Sequence, residues 1–227
     1  MLLRVRVRLP DRPGSLGKVA RTLGAAGADV VQMVVLERDV GRALDDLTVA
    51  WPSGAGIERL CDGLASIPGV EIIGVWPTAE PQGAFPDAAL IGQLAANPDG
   101  GLVILTDAVP AILSADWAGL LRPGRPAAEG GERRPDDAVV LHSSVGAFGD
   151  IDVPDVNPVR PRSFTAKDGT QYTIAPIADG ELVLVVARTG APPFHRTEVF
   201  RLAQLVTAAE AVLGARRGVI NAEVEIV

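Results

Sequence analysis

The sequence predicts an α+β protein built from two domains, and three observations lead to this interpretation. The chain has 227 residues, which is long for one domain and short for three. Its first third alternates strand and helix patterns, whereas the remainder places several strand patterns between a first and a last helix. The Pro/Gly-containing residues 78–83 separate the two parts. We therefore expect a first domain over residues 1–77, a linker over 78–83 and a second domain over 84–227.

The composition is that of a soluble globular protein, with 48% hydrophobic and 22% charged residues. The apolar runs are short and interrupted, so we expect neither a membrane span nor a signal peptide, and a cytoplasmic location. Cys61 is the only cysteine and cannot form an internal disulfide. It falls in series with Leu60 and Leu64, which predicts a small core residue rather than a reactive thiol.

The net charge of −7 is unevenly distributed. Residues 1–77 hold nine Lys/Arg and nine Asp/Glu, so the excess acid belongs to the second part of the chain. An acidic domain without a basic cluster disfavours nucleic acid as a partner. Arg4, Arg6 and Arg8 are the local exception, and we expect them to form a solvated sheet face that acids such as Asp46 partly neutralise.

The first predicted strand is followed by a tight turn and a helix. Leu3, Val5 and Val7 alternate with the three arginines, which is the period of a strand buried on one side. The turn spans residues 11–14, and the apolar residues of the helix recur at helical spacing from Leu16 to Leu23. A glycine turn that runs directly into a helix presents free backbone N–H groups beside the positive end of the helix dipole. This arrangement predicts a site for a carboxylate or a phosphate.

The rest of the first domain completes a strand, helix, strand, strand, helix, strand order. The later elements are predicted at Asp29–Glu37, Leu44–Trp51, Ile57–Ser66 and Val70–Trp76. This is the split arrangement of the ferredoxin-like fold, with the first and third strands central and the second and fourth at the edges.

The second strand is too apolar for an uncovered sheet edge. Its segment Val30–Leu36 reads VVQMVVL and would promote aggregation unless another strand covered it. A second copy of the same strand is the simplest cover, so we expect a homodimer with one continuous sheet. The turn at residues 11–16 of one subunit would then lie close to this strand of the other.

The stretch LPDRPGSLGKVARTLGAAGADVVQM, within this element order, resembles an ACT domain, a small regulatory module that binds amino acids. The resemblance covers about residues 1–77. It implies a dimer that holds an amino acid between the first turn and the start of the second strand. The positions that match are Asp11, Gly14, Ser15 and Leu16 on the turn and Asp29, Val30 and Val31 on the strand.

A site of this kind has the chemistry that a zwitterion needs. The helix amides would bind the α-carboxylate, and Asp11 would neutralise the α-ammonium group. Many amino-acid-binding members of the family have asparagine where this chain has Asp29, which leaves open a neutral or a more cationic ligand. The alternative is that Pro13 and Gly14 only make the turn and that Asp11 caps the helix.

The second domain is predicted to be α+β, with helices packed on one face of a sheet. The pattern predicts helices at Ala88–Ala95 and Thr197–Leu213, strands at Leu102–Leu105 and Ala138–His142, and a hairpin of Gln171–Ile177 with Glu181–Ala187. Residues 107–121 are compatible with a helix or with a short helix that leads into a strand. Arg122–Asp137 is predicted to be a loop, either a surface insertion or a mobile lid, and Gly149–Arg162 an extended polar run.

The segment LVLVVARTGAPPFHRTEVFRLAQLVTAAEAVL is similar to the closing strand and helix of GAF domains. This resemblance extends over about residues 84–214 and implies a GAF-like second domain that senses a small molecule or transmits a signal.

Candidate catalytic and metal-binding groups do not converge in the sequence. His142, Ser143 and Ser144 are adjacent, so neighbouring side chains would point to opposite faces of a strand, and there is no nucleophile elbow. His195 precedes the last helix, where a surface position is expected. The acids between Asp150 and Asp155 lack the glycine and the final glutamate of a calcium loop. We therefore expect no catalytic residues, no metal and no cofactor.

Taken together, the patterns predict a non-enzymatic, dimeric regulatory protein that binds an amino acid in its first domain. One alternative is an enzyme with a deep, polar cavity beneath residues 122–137. Another is a pure interaction module in which neither domain binds a ligand.

Overall fold

The computed structural model describes residues 1–79, 85–124, 138–144 and 154–224, with side chains described up to residue 214. The chain divides into two compact units: Met1–Glu80 with Gly190–Pro192, and Pro81–Thr189 with Pro193–Val227. The expectations for the linker, for Arg122–Asp137 and for the start of Gly149–Arg162 fall largely outside the described residues. Within the described ranges, no helix combines the length and the apolar character that a membrane span requires.

The first unit consists of a four-stranded antiparallel sheet and two helices. Its elements are β1 (Leu2–Pro10), α1 (Ser15–Ala25), β2 (Asp29–Asp39), β3 (Arg42–Ala50), α2 (Ile57–Ala65) and β4 (Glu71–Pro77). The strand order is β2-β3-β1-β4, which places β1 and β3 in the centre and β2 and β4 at the edges.

The core of the first unit forms where both helices pack on one face of this sheet. Leu3, Val5 and Val7 of β1 are completely buried, and they share a core with Val19 of α1 and Leu64 of α2. The alternating residues of β1 and the three- and four-residue spacing of the helices produce this face. The predicted boundaries of these elements agree with the observed ones to within a few residues.

The register of β3 fixes which parts of the unit are neighbours. The end of β1, Pro10, pairs with Arg42 at the start of β3, whereas the start of β2, Asp29, pairs with Ala50 at the other end of β3. The turn after β1 and the start of β2 therefore lie at opposite ends of the sheet.

The second unit is also α+β, so the predicted class is confirmed for both parts of the chain. Its elements are α3 (Pro86–Ala96), α4 (Gly101–Leu113), β5 (Trp117–Arg122), β6 (Val139–Ser143), β7 (Arg162–Thr165), β8 (Gln171–Ile177), β9 (Leu182–Arg188) and α5 (Arg196–Val224). The antiparallel sheet has the order β6-β5-β9-β8-β7. One core holds Leu94, Leu105 and Leu202 from the three helices against Leu184 of β9.

Two elements of the second unit differ from the prediction. The strand expected at Leu102–Leu105 is wrong, because these residues form the first turns of α4. A run of four apolar residues fits a buried helix as well as a buried strand, and Leu105, Val109 and Ile112 are buried at helical spacing. The short strand β7 was not predicted, because it has only four residues and begins at the end of the polar run. The hairpin of β8 and β9 is confirmed.

Candidate functional site

The turn that joins β1 to α1 is built around a left-handed glycine. Gly14 is the N-cap residue of α1 and has a left-handed backbone conformation, with φ +86°. Residues with side chains rarely adopt this conformation. The backbone N–H of Asp11 donates to the carbonyl of Gly41 at 2.8 Å and fixes the start of the turn. The N–H of Ser15 donates to the carbonyl of Arg12 at 3.2 Å. These bonds direct the chain from the sheet into the helix.

Two N–H groups in the first turn of α1 are available to a ligand. The N–H of Lys18 donates to the carbonyl of Gly14, but in the described part of the chain no acceptor is found for the N–H groups of Leu16 and Gly17. A Cβ placed on Gly14 would meet no atom of the described residues within 4 Å, so these residues leave space beside the turn. Free amides at the positive end of a helix suit a carboxylate.

Asp11 lies beside this turn but does not cap the helix, since no side chain of the described residues caps α1. Its carboxylate is 3.8 Å from the guanidinium of Arg38, and both side chains are exposed. An exposed ion pair of this length is weak, so the carboxylate can still receive an ammonium group. Ser15, in contrast, is buried, and Leu16 packs partly against the core.

The structure does not bring Asp29, Val30 and Val31 to this turn within one chain. Arg42, near the turn, and Ala50, which pairs with Asp29, are eight positions apart on β3, and at strand geometry this is about 26 Å. Asp29 and Val31 are exposed, while Val30 packs partly against the core. The predicted site can therefore form only if a second molecule contributes one of its two halves.

Strand β2 is an edge of the sheet and carries an exposed apolar stripe. Val31 is 47% exposed, and Met33, Val34 and Val35 are each close to 40%. Exposed aliphatic residues on an edge strand with unpaired backbone groups are a template for pairing with another strand.

The sequence did not predict the buried carboxylate of Asp45, whose pKa responds to Asp11 in the turn after β1. Asp45 of β3 is 4% exposed, and its Oδ1 atom has no hydrogen-bond partner among the residues that the structure describes. Burial raises its pKa above the ordinary value of 3.8, Arg38 acts to lower it, and Asp11 and Asp46 act to raise it. The sequence did contain a signal for a buried acid, namely two consecutive acids in a predicted strand. Because neighbouring side chains of a strand face opposite sides, one of the two must face the helices.

The arginine face of β1 differs from the expectation of a solvated surface. Arg6 is 2% exposed and donates to Asp46 through Nε at 2.7 Å and Nη2 at 2.9 Å. Its guanidinium also lies 5.4 Å from the ring centroid of Trp76. The neutralising role predicted for Asp46 is confirmed, whereas Arg6 is a buried rather than a solvated cation.

In the second unit, the three adjacent residues His142, Ser143 and Ser144 do not form a nucleophilic set. The Nε2 atom of His142 lies 2.8 Å from Oδ1 of Asp107 on α4. The Oγ of Ser144 accepts a hydrogen bond from the N–H of Ala118 and so supports the sheet. His195 immediately precedes α5, and its N–H donates to the carboxylate of Glu198 in the first turn of that helix. Within the described residues, no group of three acids, histidines or cysteines could hold a metal ion.

Two cavities of the second unit differ in character. The first, of about 310 Å³, lies between α3 and α4 and has Asp107 at its rim. The second, of about 550 Å³, is bordered by Asp99, Glu181 and Glu210. A carboxylate oxygen of Glu210 already accepts the N–H of Ala178, at 2.6 Å.

Comparison with known proteins leaves the family open. No family model and no curated protein matches the chain. Among solved structures, a formyltetrahydrofolate deformylase from Pseudomonas putida KT2440 matches 43% of this chain at 16% identity with a TM-score of 0.31, and the chain spans only 39% of that deformylase. An unknown protein from Galdieria sulphuraria matches 94% of this chain and 93% of its own at 13% identity, with a TM-score of 0.29. Scores this low do not establish a shared fold.

Proposed function

We propose that the chain is an amino-acid-binding regulatory protein whose first unit acts as an ACT domain and holds its ligand between two copies. The observation that carries the proposal is the separation of the turn at residues 11–16 from the start of β2 in a single chain. Antiparallel pairing of two β2 strands about a two-fold axis would place the start of the partner's β2 beside the end of this chain's β2. That end lies next to the turn.

The residues of the turn support an amino acid as the ligand. The free N–H groups of Leu16 and Gly17 would bind the α-carboxylate, and Asp11 would bind the α-ammonium group. Because Arg38 already lies 3.8 Å from Asp11, ligand binding would exchange one partner of this carboxylate for another. Asp29 adds a second negative charge at the partner's side of the site, which favours a cationic side chain on the ligand.

The regulatory role follows from where the ligand would be held. A molecule that contacts both copies binds the paired state better than the separated one, so it shifts the equilibrium between them. In this proposal the second unit acts as a GAF-like domain that relays or integrates the signal. Its antiparallel sheet and three helices agree with the α+β class expected of such a domain.

The edge strand provides the test. Val34→Lys places a charge on the apolar edge of β2 and is expected to make the protein monomeric and to weaken amino-acid binding at least tenfold. Val140→Lys is a matched control, because Val140 lies on the edge strand β6 and is 37% exposed, compared with 38% for Val34. Sedimentation measures the oligomeric state, and calorimetry with each of the twenty amino acids measures binding.

The same measurements can overturn the proposal. A wild-type protein that is monomeric or binds none of the twenty amino acids contradicts it. So does a Val34→Lys variant that binds as tightly as the wild type. Asp11→Ala must also weaken binding, since the ammonium group would lose its counter-charge.

A further inference from the structure

The cavity between α3 and α4, here called the α3–α4 pocket, has an apolar floor. Its volume is about 310 Å³, which is at the small end of the range for sites that bind small molecules. Leu90 of α3 and Ile112 of α4 line it and are 2% and 7% exposed. Small side chains, Ala108 and Ala111, line the α4 side and leave the space open. The interior therefore suits a compact apolar group.

The rim of the pocket carries one charged side chain. Asp107 lines the cavity and its side chain is 40% exposed, so the carboxylate lies at the opening rather than on the floor. Gln93 is the other polar residue of the lining. An apolar interior with a carboxylate at the opening is complementary to a molecule that has an apolar body and a positively charged end.

The orientation of Asp107 is fixed by a contact from outside the pocket. His142 on β6 holds Oδ1 of the carboxylate at 2.8 Å. Within the described residues, Oδ2 has no hydrogen-bond partner, so it can accept one from a ligand. A carboxylate held by a neighbouring strand loses less conformational entropy on binding than a free side chain would.

Arg201 of α5, a cation that contacts both helices, is engaged by an acid other than Asp107. Arg201 of α5 donates to Asp87 through Nε at 2.9 Å and to the carbonyl of Ile112 at 3.3 Å. Its charge is thus neutralised by Asp87 of α3. Among the described residues that line the pocket, Asp107 alone is charged, and its negative charge favours a cation over an anion.

We propose that the α3–α4 pocket binds a small apolar amine, with Asp107 receiving the ammonium group while Leu90, Ala108 and Ala111 enclose the apolar body. This site is separate from the amino-acid site proposed for the first unit and does not depend on it. A free amino acid is a poor fit, because its carboxylate would have to approach Asp107.

Three matched probes test the chemistry of the ligand on the full-length chain. They are 2-phenylethylamine, 2-phenylethanol and 3-phenylpropionate, which share an apolar body and differ in charge. Calorimetry is expected to show that the amine binds at least tenfold more tightly than the alcohol and that the acid does not bind. Absence of amine binding, or equal affinity for the three probes, overturns the proposal.

Two pairs of variants test the location. Ala89→Leu fills the pocket from α3 and is expected to abolish amine binding, whereas Ala88→Leu makes the same change at the adjacent exposed residue outside the lining and leaves binding unchanged. Asp107→Asn is expected to weaken amine binding at least tenfold with little effect on the alcohol. Asp99→Asn, which makes the same charge change away from the pocket, is its control.

The outcomes of these variants decide the proposal. If the amine still binds to the Ala89→Leu variant, the site lies elsewhere. If it still binds to the Asp107→Asn variant, the carboxylate does not receive the ammonium group. Either result overturns the proposal. Thermal unfolding of all four variants, compared with the wild type, separates a loss of binding from a loss of folded protein.

Discussion

Asp45 and Asp46 are neighbours on β3 and are equally buried, each 4% exposed, yet their surroundings are opposite. Asp46 faces the arginine side of the sheet and forms a two-point ion pair with Arg6. Asp45 faces the helices, where one of its oxygens has no hydrogen-bond partner in the described part of the chain. The comparison teaches that burial alone does not determine whether a carboxylate stabilises this fold. What matters is whether the neighbouring strand supplies a partner for the buried charge.

The largest effect is expected from removing the paired acid. Asp46→Asn would leave the buried Arg6 guanidinium without its counter-charge, and we expect the folded state to lose about 3 kcal/mol. Denaturant unfolding measures this loss in a Trp117→Phe background, so that emission comes from Trp51 and Trp76, which are buried in the first unit.

Asp62→Asn is the control for this prediction, because Asp62 is exposed on α2 and the change in charge is the same. Its expected effect is within a few tenths of a kcal/mol. Equal effects of the two substitutions would show that the Arg6–Asp46 pair contributes nothing to stability.

The unpaired acid is expected to give a smaller effect of opposite sign. Burial raises the pKa of Asp45, so the folded state holds this proton more tightly than the unfolded state does. Stability therefore falls as the pH rises from about 3.8 through the raised pKa, and the loss is complete above it. Asp45→Asn removes the buried charge, and we expect a gain of about 1 kcal/mol at pH 7.

The pH dependence separates this explanation from a general effect of the substitution. Unfolding curves recorded between pH 3 and pH 7 should show that the advantage of Asp45→Asn disappears at the acid end, where the wild-type carboxyl is protonated in both states. A variant that is less stable than the wild type at pH 7 would show that the ionised carboxylate is satisfied in the folded chain.

The same two residues show how far sequence reasoning reaches. Consecutive acids in a strand must face opposite sides, and the alternation in β1 predicts which side is apolar. The meeting of Arg6 with Asp46 additionally requires the register of β1 against β3, which residue patterns alone do not determine. A pattern therefore predicts the face of a side chain more readily than its partner.

The candidate sites divide in the same way. The glycine turn and the helix after it were predictable, because Pro13, Gly14 and the apolar spacing act locally. The distance between that turn and Asp29 was not, since it depends on the pairing of three strands. The contact of Asp107 with His142 joins a helix to a strand 35 residues away, so no spacing rule could indicate this contact. In addition, the segment Leu102–Leu105, which precedes Asp107, was predicted to be a strand rather than part of a helix.

The smallest expected effect concerns the charges around Asp45. Arg38 lowers the pKa of Asp45 and Asp11 raises it, and these two residues also contact each other at 3.8 Å. Arg38→Gln should therefore raise the pKa of the Asp45 carboxyl, whereas Asp11→Asn should lower it, as measured by a carbon-detected NMR titration. Both changes should shrink at high salt, because Arg38 is 67% exposed and its field is screened. Arg59→Gln on the exposed side of α2 is the control. If it shifts the pKa of Asp45 as much as Arg38→Gln does, then net charge, rather than the cation beside the turn, sets the protonation of Asp45.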